Sequence, residues 1–211
     1  MVDEPLDDYF DGIRDSEYRD VKRMLVVLRE AYTCGVPALM AKSMMDRVKQ
    51  AGGYFFYLGT PPDELRRIAS FVLTAWSGHQ SMLPDLLAAL WKRHGREDTI
   101  LYGILLANMD PALVDDDMWG HFADRLGARE PADSLLSVCE ELSRAGHPLP
   151  DESVILGWSE RSVIHHQLAV FILFMRERAG GGLSEAERGV VETCPEGSEL
   201  ALRVRDRLLR A

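Results

Sequence analysis

The sequence predicts an all-α protein, on three observations. Apolar residues recur at helical spacing along most of the chain, as where Met24, Leu25, Leu28 and Tyr32 fall on one helix face. Glycine and proline breaks separate these stretches, and the period-two alternation that is typical of strands is scarce. Short breaks between successive helices indicate helix pairs, stacked either as an α-solenoid or as a compact bundle.

Each predicted helix lies between residues that interrupt helices, mostly glycine or proline. In chain order the predicted helices span residues 16–33, 37–50, 61–77, 82–93, 97–109, 115–126, 131–144, 151–157, 160–178, 184–193 and 198–210. The aromatic run 54–57 is predicted to be an extended connector, and glycines 180–182 are predicted to form a hinge. We expect residues 1–12 to be a mobile acidic segment and residues 13–211 to form a single helical domain.

The charge balance disfavours a nucleic-acid partner without excluding one. The net charge is −10, and residues 1–20 hold eight acids against two arginines. Phosphate contacts by Lys and Arg dominate nucleic-acid affinity, so an acidic chain binds DNA only through a local basic face.

The cysteine and histidine patterns predict a reduced, metal-free protein. Cys34, Cys139 and Cys194 are odd in number and lack CxxC spacing, and no two histidines have the His-x-x-x-His spacing. The apolar run 163–175 is interrupted by polar residues, and the acidic N-terminus does not resemble a signal peptide. We therefore expect a soluble cytoplasmic monomer with no cofactor and no membrane contact.

The most informative stretch runs from Tyr54 to Arg67. An aromatic run and a glycine turn lead into a helix that carries two adjacent arginines. Locally, Thr60 is predicted to cap this helix, Pro61 to occupy its first turn and Asp63 to complete a capping box. In this order the stretch resembles a signature of the AlkD-like DNA alkylation repair family, the HEAT-like repeat alkylpurine DNA glycosylases.

Three further landmarks continue the resemblance over roughly residues 38–178. They are Leu90-Trp91 with Arg96-Glu97, then Ala132-Asp133-Ser134-Leu135, then Gly157-Trp158-Ser159-Glu160. The resemblance implies an α-α superhelix of HEAT-like helix pairs whose concave face holds duplex DNA. It also implies excision of N3- and N7-alkylated purines by hydrolysis of the N-glycosidic bond, without a metal.

The resemblance places the catalytic carboxylate at Asp133. In that role it would stabilise an oxocarbenium-like sugar and orient the attacking water. From the local sequence, Asp133 follows Pro131 and suits the first turn of a helix, where the helix dipole favours an acid. Both interpretations stay open at this point.

The predicted DNA-binding residues depart from the family pattern. Where the family has a tryptophan this chain has Arg129, which would repel a cationic base or bind a phosphate. The family's helical arginine falls on His166, and His165 precedes it; these histidines either contact phosphate when protonated or fill helix positions. Trp158 and Arg161 complete the set. A second family tryptophan, expected near the C-terminus, has no counterpart.

Two functions follow from these observations. The first is a DNA glycosylase that acts on alkylated purines in duplex DNA with Asp133 as its acid. The second is a catalytically degenerate HEAT-like scaffold that binds a basic protein partner through its acidic surface.

Overall fold

The computed structural model describes residues 5–37, 43, 53–128 and 130–210, and the chain divides into two compact units. Unit 1 ends at Asp116 and unit 2 begins at Asp117. Throughout the described ranges the regular structure consists of α-helices and three short 3-10 turns. The all-α prediction is confirmed, and the packing of helix on helix is consistent with a helical-repeat type of fold.

The helices are numbered along the described chain. Unit 1 contains α1 (Pro5–Asp11), α2 (Val21–Ala31), α3 (Pro62–Ala75), α4 (Leu83–Arg93) and α5 (Arg96–Asn108). Unit 2 contains α6 (Met118–Ala123), α7 (Ala132–Arg144), α8 (Glu152–Arg161), α9 (Val163–Arg178), α10 (Glu185–Glu192) and α11 (Glu199–Leu208). The helix predicted over residues 37–50 lies, but for residues 37 and 43, outside the described residues.

The boundary predicted between α8 and α9 is wrong. The helix predicted over residues 151–157 continues as α8 to Arg161. Gly157 does not stop it, because the glycine faces open space and a single helical glycine costs only about 1 kcal/mol relative to alanine. The break falls instead at Ser162, which has extended backbone angles and caps α9.

Each unit is built around one helix that is apolar on all sides. In unit 1, α5 packs against α3 and α4, and its Leu101, Tyr102 and Leu105 are fully buried. In unit 2, α9 packs against α7, α8, α10 and α11, and its residues 167–175 are all buried. Helices without a polar face are stable only when neighbours cover every side, which explains both central positions.

The acidic N-terminal segment, expected to be mobile, forms helix α1 within unit 1. Leu6 is buried, and the ring of Phe10 stacks on that of Phe71 with 4.0 Å between centroids. Tyr9 also donates a hydrogen bond to the carbonyl oxygen of Val27 in α2, at 3.1 Å. The residues that make these contacts, Leu6, Tyr9 and Phe10, lie between acidic residues. The number of acids in the segment therefore does not predict its packing.

The aromatic connector is joined to the link between α4 and α5. The backbone N–H of Phe55 donates to the carbonyl of His94, and that of Arg96 donates to the carbonyl of Phe56, each at 2.9 Å. The Phe56 ring lies so close to Gly95 that a Cβ atom there would be 2.0 Å from the ring. Position 95 must therefore be glycine while Phe56 keeps this place.

Glu97 holds the glycine turn of the connector. Its carboxylate is fully buried, and its Oε1 atom accepts hydrogen bonds from the backbone N–H groups of Leu58 and Gly59, both at 2.9 Å. Two sequence landmarks that lie 39 residues apart thus meet in one contact. Burial raises the pKa of Glu97, and the two N–H donors offset part of that rise.

The neighbouring Asp98 is also fully buried and anchors α2 and α4. It accepts hydrogen bonds from Arg93 Nε at 2.7 Å and from the Tyr32 hydroxyl at 3.0 Å. The predicted cap at Thr60 is wrong, because its hydroxyl donates to the Tyr32 carbonyl at 2.8 Å. The N-cap of α3 is Pro61, which has no side-chain cap.

We expect the Glu97→Ala substitution to lower the free energy of unfolding by about 3 kcal/mol, because two buried N–H groups lose their acceptor. Glu97→Gln keeps an acceptor oxygen and should cost about 1 kcal/mol. Urea unfolding followed by circular dichroism measures both. The matched control Glu160→Gln, at an exposed position of α8, should stay within about 0.5 kcal/mol of wild type. Equal losses at positions 97 and 160 would contradict this assignment.

Candidate functional site

Asp133 lies in the first turn of α7 and is exposed to solvent. The N-cap of α7 is Pro131, and the Ser134 hydroxyl donates to the Pro131 carbonyl at 2.8 Å. To the other described residues Asp133 makes no hydrogen bond and no ion pair. A free carboxylate at a helix N-terminus is stabilised by the helix dipole and stays accessible to a ligand.

Arg161, the last residue of α8, forms an ion pair with Asp124. Its Nη1 atom lies 2.8 Å from Asp124 Oδ1, and the two side chains are 48% and 72% exposed. Exposed pairs of this kind stabilise a fold by about 1 kcal/mol at most, so a stronger anion could displace Asp124.

His165 is 5% exposed and uses both ring nitrogens inside unit 2. Nε2 lies 3.1 Å from the Ala123 carbonyl, which can only accept, so Nε2 carries the proton. Nδ1 then accepts from the Ser162 hydroxyl at 2.7 Å. The predicted phosphate contact would require this ring to break both bonds and leave the interior.

Burial lowers the pKa of His165, and the nearby charge of Arg161 lowers it further. The imidazole is therefore held neutral, whereas a phosphate contact would need the protonated form.

His166 is half-buried and also makes an internal contact. Its Nε2 lies 2.7 Å from the carbonyl oxygen of Val190 on α10, and donates to it. His165 and His166 thus join α9 to the end of α6 and to α10, respectively. The sequence offered no guide to these carbonyl partners, which lie 42 and 24 residues away.

The remaining predicted site residues are Trp158 and Arg129. Trp158 is half-buried on α8. Arg129 lies outside the described residues. The other three tryptophans, Trp76, Trp91 and Trp119, are at most 7% exposed, so they are core residues.

Just over half of the arginines of unit 2 form ion pairs with its own acids. Unit 2 has 16 Asp and Glu residues, 11 arginines and no lysine, a net charge of −5. Within its described part, six arginines form ion pairs with carboxylates: Arg144–Glu141, Arg161–Asp124, Arg176–Glu187, Arg178–Glu140, Arg203–Glu199 and Arg205–Asp206. In the last helix, α11, Arg203 and Arg205 are thus paired with acids of the same helix.

Comparison with known proteins gives no relative: no protein-family model, curated protein or solved structure matches this chain. Across the described ranges, no three His, Cys, Asp or Glu side chains form a group that could hold a metal ion. Among the described helices, none combines the length and apolar character needed to cross a membrane.

We expect His165 to make unit 2 less stable in acid. A His pKa that is lower in the folded state contributes stability that is complete above the unfolded value of about 6.5 and is lost as the pH falls through the folded value. His165→Gln should therefore show a smaller loss of unfolding free energy than wild type between about pH 7.5 and pH 5. Urea unfolding at both pH values measures this difference.

The control for this measurement is His79→Gln, at an exposed histidine of unit 1. It should retain the wild-type pH dependence. An unchanged dependence in His165→Gln would show that the buried ring does not couple folding to pH.

Proposed function

We propose that this chain is a non-enzymatic helical scaffold that binds a basic protein partner through its acidic surface. The observation that supports this proposal best is the pairing of unit 2 arginines with unit 2 carboxylates. A DNA-binding face needs guanidinium groups that can reach phosphates, and for each paired arginine a phosphate has to compete with a carboxylate of the same unit.

The net charges of the two units also favour a basic protein partner over duplex DNA. Unit 1 and unit 2 each carry −5, so neither is a basic module attached to an acidic one. Duplex DNA carries one negative charge for about every 1.7 Å of its axis, and it would be repelled by both units. A Lys- or Arg-rich protein segment is attracted by the same charges, and such attraction also speeds encounter.

The described residues also do not form the complete catalytic site that the family resemblance implies. Glycosidic hydrolysis in the proposed manner needs a carboxylate together with groups that hold the sugar-phosphate strand. Asp133 is accessible, but Arg161 pairs with Asp124 and His165 is buried with both nitrogens bonded. These contacts favour loss of the chemistry with retention of the helical fold.

The scaffold proposal predicts no measurable affinity for duplex DNA. Fluorescence anisotropy of a labelled duplex of roughly 20 base pairs, at about 20 mM salt where electrostatic binding is strongest, should stay constant as protein is added. Arg161→Ala should leave the result unchanged. Binding at low micromolar protein that weakens steeply with salt, and weakens further in Arg161→Ala, would overturn the proposal.

A second candidate function, excision of alkylated purines, is favoured by one observation. The Asp133 carboxylate is exposed and unpaired toward the described residues, so a bound nucleotide and its attacking water could reach it. Under this alternative, Asp133 stabilises the cationic sugar while the positively charged base leaves.

The alternative is tested by release of 7-methylguanine from a methylated duplex. If it holds, wild type releases base above the spontaneous rate and Asp133→Asn loses about 100-fold or more of that activity. Asp85→Asn is the matched control, since Asp85 is likewise an exposed first-turn aspartate, on α4. We expect all three proteins to give the spontaneous rate alone, and base release that depends on Asp133 would contradict this expectation.

A further inference from the structure

An open groove runs between α1 and α2 of unit 1. Its volume is about 570 Å³. The residues that line it are Asp8, Tyr9, Gly12, Ile13, Glu17, Arg23, Val26, Val27 and Glu30. We call it the α1–α2 groove. Its volume lies within the range of about 300–1,000 Å³ that is usual for ligand sites.

The wall of the groove formed by α2 includes an accessible apolar side chain, Val26. Val26 is 59% exposed, one of the most exposed large apolar residues in the described chain, and Val27 lies buried beside it. Ile13, half-buried, contributes from the segment after α1. An exposed valine on a helix whose other apolar residues are buried or half-buried leaves apolar area that a partner can cover.

The relative position of α1 and α2 at this groove is fixed by Tyr9. Its hydroxyl lies 3.1 Å from the Val27 carbonyl and 3.2 Å from Glu30 Oε2, both on α2. The two contacts tie the helices together, so the groove is present before any partner arrives. A preformed site reduces the conformational entropy that the protein loses when a partner binds.

The rim of the groove is negatively charged. Asp8, Glu17 and Glu30 are exposed carboxylates, and Arg23 is the one cation in the lining. Arg14 lies 3.0 Å from Glu17, and Asp20 lies 3.6 Å from Arg23. The charges of Glu17 and Arg23 are therefore already partly neutralised. Asp8 on α1 and Glu30 on α2 form no ion pair with the described residues and can attract a cationic partner, although Glu30 also accepts from the Tyr9 hydroxyl.

We infer that the α1–α2 groove binds a basic amphipathic helix of a partner protein. This inference rests on the proposed scaffold function and assigns its docking site. An apolar wall flanked by carboxylates complements a helix whose apolar face is bordered by Lys or Arg, the helix-in-groove mode of recognition. A small polyamine satisfies the carboxylates but leaves Val26 uncovered, so the apolar wall favours the peptide.

The test uses the full chain and a fluorescein-labelled Leu/Lys peptide of about 14 residues, close to four helical turns, with leucines on one face. Anisotropy should give a micromolar Kd for wild type. Val26→Asp and Asp8→Lys should each raise the Kd about ten-fold, because one removes apolar cover and the other reverses a rim charge. A scrambled peptide of the same composition should bind about ten-fold more weakly than the amphipathic one.

The controls alter matched positions outside the groove. Val163→Asp changes a valine of unit 2 that is 50% exposed, and Glu160→Lys reverses an exposed acid on α8; both should keep the wild-type Kd. Circular dichroism of every variant verifies folding. Spermine at the peptide's own concentration should not displace it.

The outcomes separate this inference from the function on which it rests. Equal Kd values for wild type and the groove variants would overturn the groove assignment and leave the scaffold proposal standing. Displacement by equimolar spermine would replace the peptide with a polyamine ligand. Failure of the peptide to bind any of the proteins would overturn both.

Discussion

Two adjacent buried carboxylates at the start of α5 hold unit 1 together. Glu97 accepts from the backbone of the connector, and Asp98 accepts from Arg93 and Tyr32. Arg93 also donates to the Leu25 carbonyl at 2.9 Å. A buried charge costs several kcal/mol unless partners satisfy it, so each group here depends on the others. Glu97 therefore joins the connector to α5, and Asp98 with Arg93 joins α2, α4 and α5, within an apolar core.

Unit 2 uses charge differently, and that difference supports the proposed function. Its ion pairs lie mostly at the surface, where they add little stability but make an external anion compete with the unit's own carboxylates. The histidines at the start of α9 are bonded to backbone carbonyls of α6 and α10. Residues that a DNA-binding protein would direct at phosphates thus contribute here to the internal structure of the unit.

The helices could be predicted because their cause is local. Apolar periodicity and glycine or proline breaks lie within a few residues of each other, so α3, α4, α5 and α7 begin and end close to their predicted limits. The site could not be predicted in the same way, because its contacts join distant residues. Thr60 bonds to Tyr32 and His165 to Ala123, and each of these pairings depends on tertiary packing. The resemblance did single out Glu97, but as a landmark and without its partners.

The close approach of Phe56 to Gly95 has a consequence for how this chain can diverge. Since the ring fills the space that any side chain at position 95 would need, a larger residue there requires the Phe56 ring to move. We expect homologues that lack the glycine to carry a smaller residue at position 56, a rearranged connector or a Phe56 ring turned away from position 95. The two positions are thus expected to co-vary, and a sequence that keeps both is constrained at this junction by steric exclusion alone.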